Sequence, residues 1–342
     1  MSDLHGHDGP IAAFLNAMRG TKLHHAWLLT GAVGIGKASV AIALAKRLLA
    51  EAAGPPIVGQ GVATPPDHPI AKLIDAGSHP DFHLLDRLPK DAKLIREEER
   101  RNWPVDVERV RSITVEQVRA LGSIFGLMPS FSAKRVVVID AIDDMERSGA
   151  NALLKMLEEP PQGTIFLAVS HAPGRLLPTI RSRCRILRFA PLDDVNMRGV
   201  LRTHLPNADE SELTSLLRVG QGSPGRALNF AGLDIGAIDA AMADIAKDGD
   251  ASNAKRAGLA QALALKSAQQ RYEAFLARAP AFIADQARAR TGDALASALD
   301  AWDGARSLAE SAQRQSLDPQ MTVFAMASHI AALAPKAASS KS

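Results

Sequence analysis

Apolar residues fall in two alternating patterns along the first part of the chain, and in only one beyond it. The runs His25-Ala-Trp-Leu-Leu-Thr30, Arg135-Val-Val-Val-Ile-Asp140 and Thr164-Ile-Phe-Leu-Ala-Val-Ser170 are apolar on both alternating faces. That is the pattern of strands covered on both sides, as in a parallel sheet. Phe82 to Leu85 and Cys184 to Phe189 predict two shorter strands. Between them the spacing turns helical. Ile11 to Met18 is a short amphipathic stretch, and Val40, Ala43, Leu44, Arg47 and Leu48 share one face over Lys37 to Ala50. A helix is predicted from Thr114 to about Phe125, with Gln117 completing a capping box on Thr114. Ala150, Leu153, Leu154 and Leu157 form another face, with Ser148 as the expected N-cap and Pro160-Pro161 as the stop. Leu176 to Arg183 also has helical spacing, whereas Gly54 to Pro69 is rich in Gly and Pro and is predicted to be a loop.

Alternating strands and helices predict an α/β domain with a parallel sheet. Beyond Pro191 the strand signals stop. Short helices are expected from Asp193 to Gly220, clearest over Asn207 to Arg218, with a further helix at Arg226 after the Gly222-Ser-Pro-Gly225 turn. From about Ala237 to Ala334 the chain is alanine-rich and helical. The expected division is residues 1–190 for the α/β domain, 191–236 for a small helical lid, 237–336 for a helical domain, and 337–342 for a frayed tail.

Composition narrows the class. The 342 residues carry 46% hydrophobic and 23% charged side chains, which suits a folded soluble protein of two or three domains. A formal net charge of +3 is compatible with nucleic acid nearby without requiring contact. The mixed run Glu97 to Arg101 is expected to be solvated surface. One cysteine, Cys184, excludes an internal disulfide and a cysteine zinc cluster, and fits a reducing, cytoplasmic compartment. No signal-like or membrane-spanning apolar run is present in the sequence.

The candidate chemistry begins at Gly31-Ala-Val-Gly34-Ile-Gly36-Lys37-Ala38. Strand, glycine loop and helix follow in the order of a phosphate cradle, with Lys37 placed to reach the outer phosphates. The hydroxyl that would hold Mg²⁺ at the next position is missing, because Ala38 stands there. Ser39 comes one residue late, about 100° around the helix. Asp140 closes a buried strand as the second half of such a site requires, but Ala141 follows where a water-activating Glu would be expected, and Asp143 and Asp144 lie further on. Weak or absent ATP hydrolysis is the expectation, with ATP or ADP binding through Gly31, Gly34, Gly36 and Lys37 left open.

Further residues carry a family resemblance. Asn151-Ala-Leu-Leu-Lys-Met-Leu-Glu-Glu-Pro-Pro161, Arg181-Ser-Arg183-Cys-Arg185, His24-His25-Ala26 and Ser78-His-Pro-Asp81 together resemble the bacterial DNA polymerase III clamp-loader subunits of the AAA+ class. They cover about Leu23 to Phe189, in the right order. The resemblance implies an AAA+ P-loop domain, a helical lid, and a C-terminal helical collar for oligomerisation. The γ/τ type of this family has a complete phosphate loop, an Asp-Glu pair and a four-cysteine zinc module. The δ′ type has a degraded nucleotide site and keeps Ser-Arg-Cys. Ala38 and Ala141 place this chain with the δ′ type, and Gly54 to Asp81 contains no cysteine, so no zinc is expected.

The resemblance further implies a five-subunit hetero-oligomer with γ/τ and δ subunits as partners, which loads a sliding clamp onto primed DNA. Arg183 would be an arginine finger inserted into a neighbour's ATP site, while Ser170 and Arg226 match sensor positions, with sensing and purely structural roles left open beside an incomplete site. No catalytic activity of the chain's own and no required cofactor are expected. The alternatives are an autonomous γ/τ-like ATPase using Ser39, Asp143 or Asp144, and a DNA-binding adaptor. The plainer reading of Arg183 is a surface arginine at a helix end, of Asp140 a strand-end cap, and of Cys184 a buried apolar residue. His5, His7, Asp8, His68, His79 and His83 are expected to be exposed loop residues rather than metal ligands.

Overall fold

A computed structural model describes residues 4–20, 22–55, 57, 59, 61–90, 109–126, 128–315 and 317–335. The charge run at Glu97 to Arg101 and the tail at 337–342 lie outside the described residues.

The strands are β1 (Ala26–Thr30), β2 (Phe82–Asp86), β3 (Arg135–Asp140), β4 (Thr164–Ser170) and β5 (Arg185–Arg188). They form one five-stranded sheet in the order β2-β3-β4-β1-β5, with every pairing parallel. Because alternate side chains point to opposite faces, each β-branched strand feeds two cores. Val136 and Val138 face one, with Trp27, Leu29, Leu44 and Phe14; Val137 and Ile139 face the other, with Leu28, Leu153, Leu157 and Phe166. The first core is covered by α1 (Asp8–Arg19), α2 (Lys37–Ala53) and α3 (Pro69–Asp75), the second by α4 (Val115–Phe125), α5 (Arg147–Glu158) and α6 (Pro178–Arg181). With a glycine loop between β1 and α2, this is the P-loop α/β architecture the sequence predicts.

The capping box on α4 is present, with Gln117 N–H donating to Thr114 Oγ1 and Thr114 N–H to Gln117 Oε1. One local expectation is corrected, one is shortened, and one helix is added. Ser148 is not the N-cap of α5: the Glu146 carbonyl already accepts from Ala150 N–H, so the helix starts earlier and Ser148 falls within its first turn. Of the helix expected over Leu176 to Arg183, Pro178–Arg181 forms, with Pro178 opening its first turn and Ser182 and Arg183 in the turn that follows. α3 follows the predicted loop without having been expected; His68 caps it by accepting Ile70 N–H, and Pro69 opens its first turn. The loop itself is tied to α2 by Arg47, 2% exposed, which donates to the carbonyls of Gly59 (2.9 Å) and Ala63 (3.1 Å).

The chain divides into two compact units, residues Met1–Val200 and Leu201–Ser342. A further helix, α7 (Asp194–His204), runs across that division. The second unit is helical among its described residues, from α8 (Glu210–Gly220) and α9 (Pro224–Leu228) through α10 (Ile235–Asp248) and α11 (Ala254–Leu263). It continues with α12 (Gln269–Ala287), α13 (Gly292–Gln315) and α14 (Pro319–Ala331). Inside it Arg278, 4% exposed, pairs with Asp239 at 2.9 Å. No helix among the described residues is long and apolar enough to cross a membrane.

Candidate functional site

All five strands run the same way, so their carboxyl ends gather at one edge of the sheet, where open α/β sheets bind ligands. Gly31 to Lys37, Asp140 and Ser170 meet at that edge. Gly31, Gly34 and Gly36 have φ of 154°, 74° and 99°, a region that side chains with a Cβ rarely enter. A Cβ on Gly31 would also lie 2.5 Å from the Phe189 carbonyl oxygen, so the turn requires glycine there.

Lys37 is 2% exposed, and its Nζ donates to the carbonyls of Gly31 (2.8 Å) and Ala32 (2.5 Å). Burial pushes its pKa down to about 8, against the pull of Asp140 and Asp143. Asp140 faces Asp86 across the β2–β3 register. Burial above all, then the Asp86 charge, pushes its carboxyl up to about 6, while Lys37 draws it down. Asp86 is itself paired with Arg109 and accepts Arg87 N–H at 2.6 Å. On the other side of the loop the His7 Nε2 lies 2.7 Å from the Ile35 carbonyl, and its ring meets Phe189 edge-on at 4.9 Å.

The groups that would handle metal and water are otherwise placed. Ala38 packs against the core, Ser39 is exposed, and Ala141 is buried. Asp143 accepts from Ser170 Oγ (2.9 Å), His171 N–H (2.6 Å) and Ala172 N–H (3.3 Å), which fixes the loop after β3 to the end of β4. Asp144 pairs with Arg87 at 3.2 Å. The loop glycines and Lys37 suit a phosphate group. The residues fit Mg²⁺ poorly: the helix position that should offer an oxygen offers a methyl, and the Asp143 oxygens are engaged. Among the described residues no group of three or more His, Cys, Asp or Glu is arranged to hold a metal ion.

Arg183 lies at the opposite edge. It precedes β5, whose Arg185 pairs with Trp27 and whose Arg188 pairs with Thr30, immediately before the glycine loop. At about 3.3 Å per residue, that pairing alone separates the two edges by roughly 10 Å. The Arg183 guanidinium is one-third exposed, donates from Nη1 to the Thr179 carbonyl at 2.9 Å, and pairs through Nη2 with Glu158 Oε1 at 2.8 Å. The adjoining Cys184 is driven up to about 11 by burial, which makes it an inert thiol. Arg226 belongs to the second unit, where Nη2 donates to the Ala277 carbonyl at 3.0 Å; burial, then Arg278, lowers its pKa.

Sequence reasoning did not find Glu158 as the partner of Arg183, nor His7 beside the loop, because both contacts join distant parts of the chain. Asp81 was visible only as part of a motif. Its carboxylate is fully buried and accepts N–H groups of Ser130 and Phe131 at 2.9 Å, so it organises the turn before β3.

Comparison with known proteins adds the following. Residues 6–193 match the family model described as DNA polymerase III, delta subunit. The chain is 35% identical over 205 residues to the DNA polymerase III subunit delta' of Pseudomonas aeruginosa, a match covering 58% of this chain and 53% of that protein. It is 28% identical over 226 residues to the DNA polymerase III subunit gamma of Buchnera aphidicola, covering 64% of this chain and 54% of that one. A solved DNA polymerase III gamma subunit-related protein of Thermotoga maritima superposes with a TM-score of 0.43 at 13% identity, covering 94% of this chain and 99% of that one. The chain spans about half the length of the curated relatives it matches.

Proposed function

The chain belongs to the DNA polymerase III, delta subunit family, and from that membership we propose that it acts as a δ′-type clamp-loader subunit which lends Arg183 to a neighbour's ATP site and does not turn over nucleotide itself. The observation that carries this reading is topological. Arg183 sits at the amino edge of the sheet, while the chain's own phosphate loop sits at the carboxyl edge. A guanidinium so placed cannot serve its own loop, but it can serve a site presented by an adjacent subunit. There it would meet the charge that redistributes on the γ-phosphate in the transition state.

The partners in this reading are γ/τ and δ subunits in a pentamer, with the sliding clamp and primed DNA reached through the assembly, in the cytoplasm. Ser170 and Arg226 act as structural residues here, since the first is held by Asp143 and the second by the Ala277 carbonyl. The Gly31 to Lys37 loop retains the shape for weak ATP or ADP binding, and Asp140 sits beside Lys37 without a following carboxylate. An autonomous ATPase would need Ser39, Asp143 or Asp144 to supply the missing groups. The exposure of Ser39, the three donors on Asp143 and the Arg87 partner of Asp144 argue against it.

The test is reconstitution with γ/τ and δ subunits and a single-turnover ATP assay on primed DNA. Arg183→Ala should assemble normally yet slow the one site it completes by ~10³-fold or more. Lys37→Ala should leave the rates nearly unchanged. Mg²⁺-dependent turnover by the purified chain, or equal rates for Arg183→Ala and the parent, would refute the proposal.

A further inference from the structure

We infer that Glu158 is the positioning residue for Arg183, aiming its guanidinium at the neighbouring site. This rests on the trans-arginine reading above. The two residues are 25 positions apart in the sequence, yet the chain brings them together at the amino edge of the sheet with a 2.8 Å contact from Nη2 to Oε1. The other terminal nitrogen, Nη1, is held by the Thr179 carbonyl at 2.9 Å, with Ser182 Oγ at 3.5 Å. A planar guanidinium gripped at both terminal nitrogens from different elements has its plane and direction fixed. A lone surface pair would leave it free to swing.

Both grips are mounted on rigid supports. Glu158 is the last residue of α5, whose Leu153 and Leu157 are buried in the core. The carbonyl of Leu157, one residue earlier, is within 3.0 Å of the His25 Nε2. Burial, then the neighbouring His24, holds the His25 pKa below its ordinary value, so the ring stays neutral and donates that bond. His24 stacks on His25 with ring centroids 4.6 Å apart. Thr179 belongs to α6, which Ile180 pins into the same core. Three sequence features thus converge on the Arg183 guanidinium: the end of α5, α6, and, through the Leu157 carbonyl, the His24-His25 pair.

Stability does not account for the pair. Both side chains are partly solvated, with exposures of 34% for Arg183 and 48% for Glu158, and ion pairs in that setting contribute little to folding. What the carboxylate does supply is geometry, and small displacements of a transition-state group are costly: about 1 Å can lose ~10²-fold in rate.

The experiment uses the reconstituted assembly and the single-turnover assay, with Glu158→Ala, Glu158→Gln, Glu158→Asp, Arg183→Ala and the Glu158→Ala/Arg183→Ala double variant. Glu158→Ala is expected to slow the affected site ~10-fold or more with ATP affinity unchanged, because the finger acts in the transition state. Glu158→Asp should recover part of that rate, and Glu158→Gln less. The double variant should be no slower than Arg183→Ala alone, since Glu158 acts only through the arginine. A parent-like rate for Glu158→Ala beside a slow Arg183→Ala overturns the positioning role and leaves the finger standing. A faster Glu158→Ala overturns it as well, since the carboxylate would then be parking the arginine. An unaffected Arg183→Ala removes the finger reading and this inference with it. Glu158→Gln, nearly isosteric and at an exposed site, guards against a folding defect in the alanine variant.

Discussion

Replacing Asp140 by Asn should stabilise the protein at neutral pH, and the gain should disappear in acid. The carboxyl is displaced from 3.8 to about 6, chiefly by burial at the end of β3 and next by the Asp86 charge opposite it, with Lys37 offsetting part of both. A carboxyl whose pKa is higher folded than unfolded binds protons more tightly in the folded state, so its ionisation opposes folding as pH rises. At about 1.36 kcal/mol per pH unit the full penalty is about 3 kcal/mol at pH 7.5. Linkage reduces it to about 1.6 kcal/mol at pH 5 and about 0.5 kcal/mol at pH 4. Asn keeps the shape and removes the charge, so Asp140→Asn should gain about 2–3 kcal/mol over the parent at pH 7.5 and almost nothing at pH 4. Urea unfolding of both proteins across this range is the assay. A variant less stable than the parent at pH 7.5, or a difference that does not shrink toward pH 4, would refute the account of the β3 end as a buried, repelled carboxylate.

Asp143→Ala should have the opposite sign, losing about 2–4 kcal/mol in urea unfolding, because it strands the Ser170 hydroxyl and two backbone donors. Cys184 should be alkylated by iodoacetamide at pH 8 on the order of 100-fold more slowly than a free thiol, with urea restoring the ordinary rate, since burial lifts its pKa from 9.0 to about 11. His25 is held below its usual pKa of 6.5, so the unfolded state takes up the proton first and stability should fall as pH drops below 6.5. His25→Gln should show a shallower acid loss by thermal unfolding; an equal slope would mean that His25 does not titrate in this way.

Much of the architecture is legible in the amino-acid order because its signals are local. Val136 to Ile139 carry the apolar-on-both-faces pattern of a strand in a parallel sheet, and the glycines of the loop are demanded by backbone angles that other residues avoid. The capping box at Thr114 is spelled out within four residues. Where tertiary contacts compete, the local signal fails. Ser148 has the chemistry of a cap, but the Glu146 carbonyl is already bonded within α5, and Glu146 itself receives Ser112 Oγ at 3.1 Å.

The candidate site divides along the same line. The residues at Ala38 and Ala141, and hence the thin equipment for metal and water, are matters of identity that the sequence states outright. What those identities leave open is where neighbours 20 or more residues away come to lie. Only folding commits Asp143 to the end of β4, sets Asp86 against Asp140, and joins Glu158 to Arg183. The physical reason is that side-chain identity is inherited residue by residue. Charge, burial and direction are instead properties of a place, and a place exists only once parallel strands have brought their ends together.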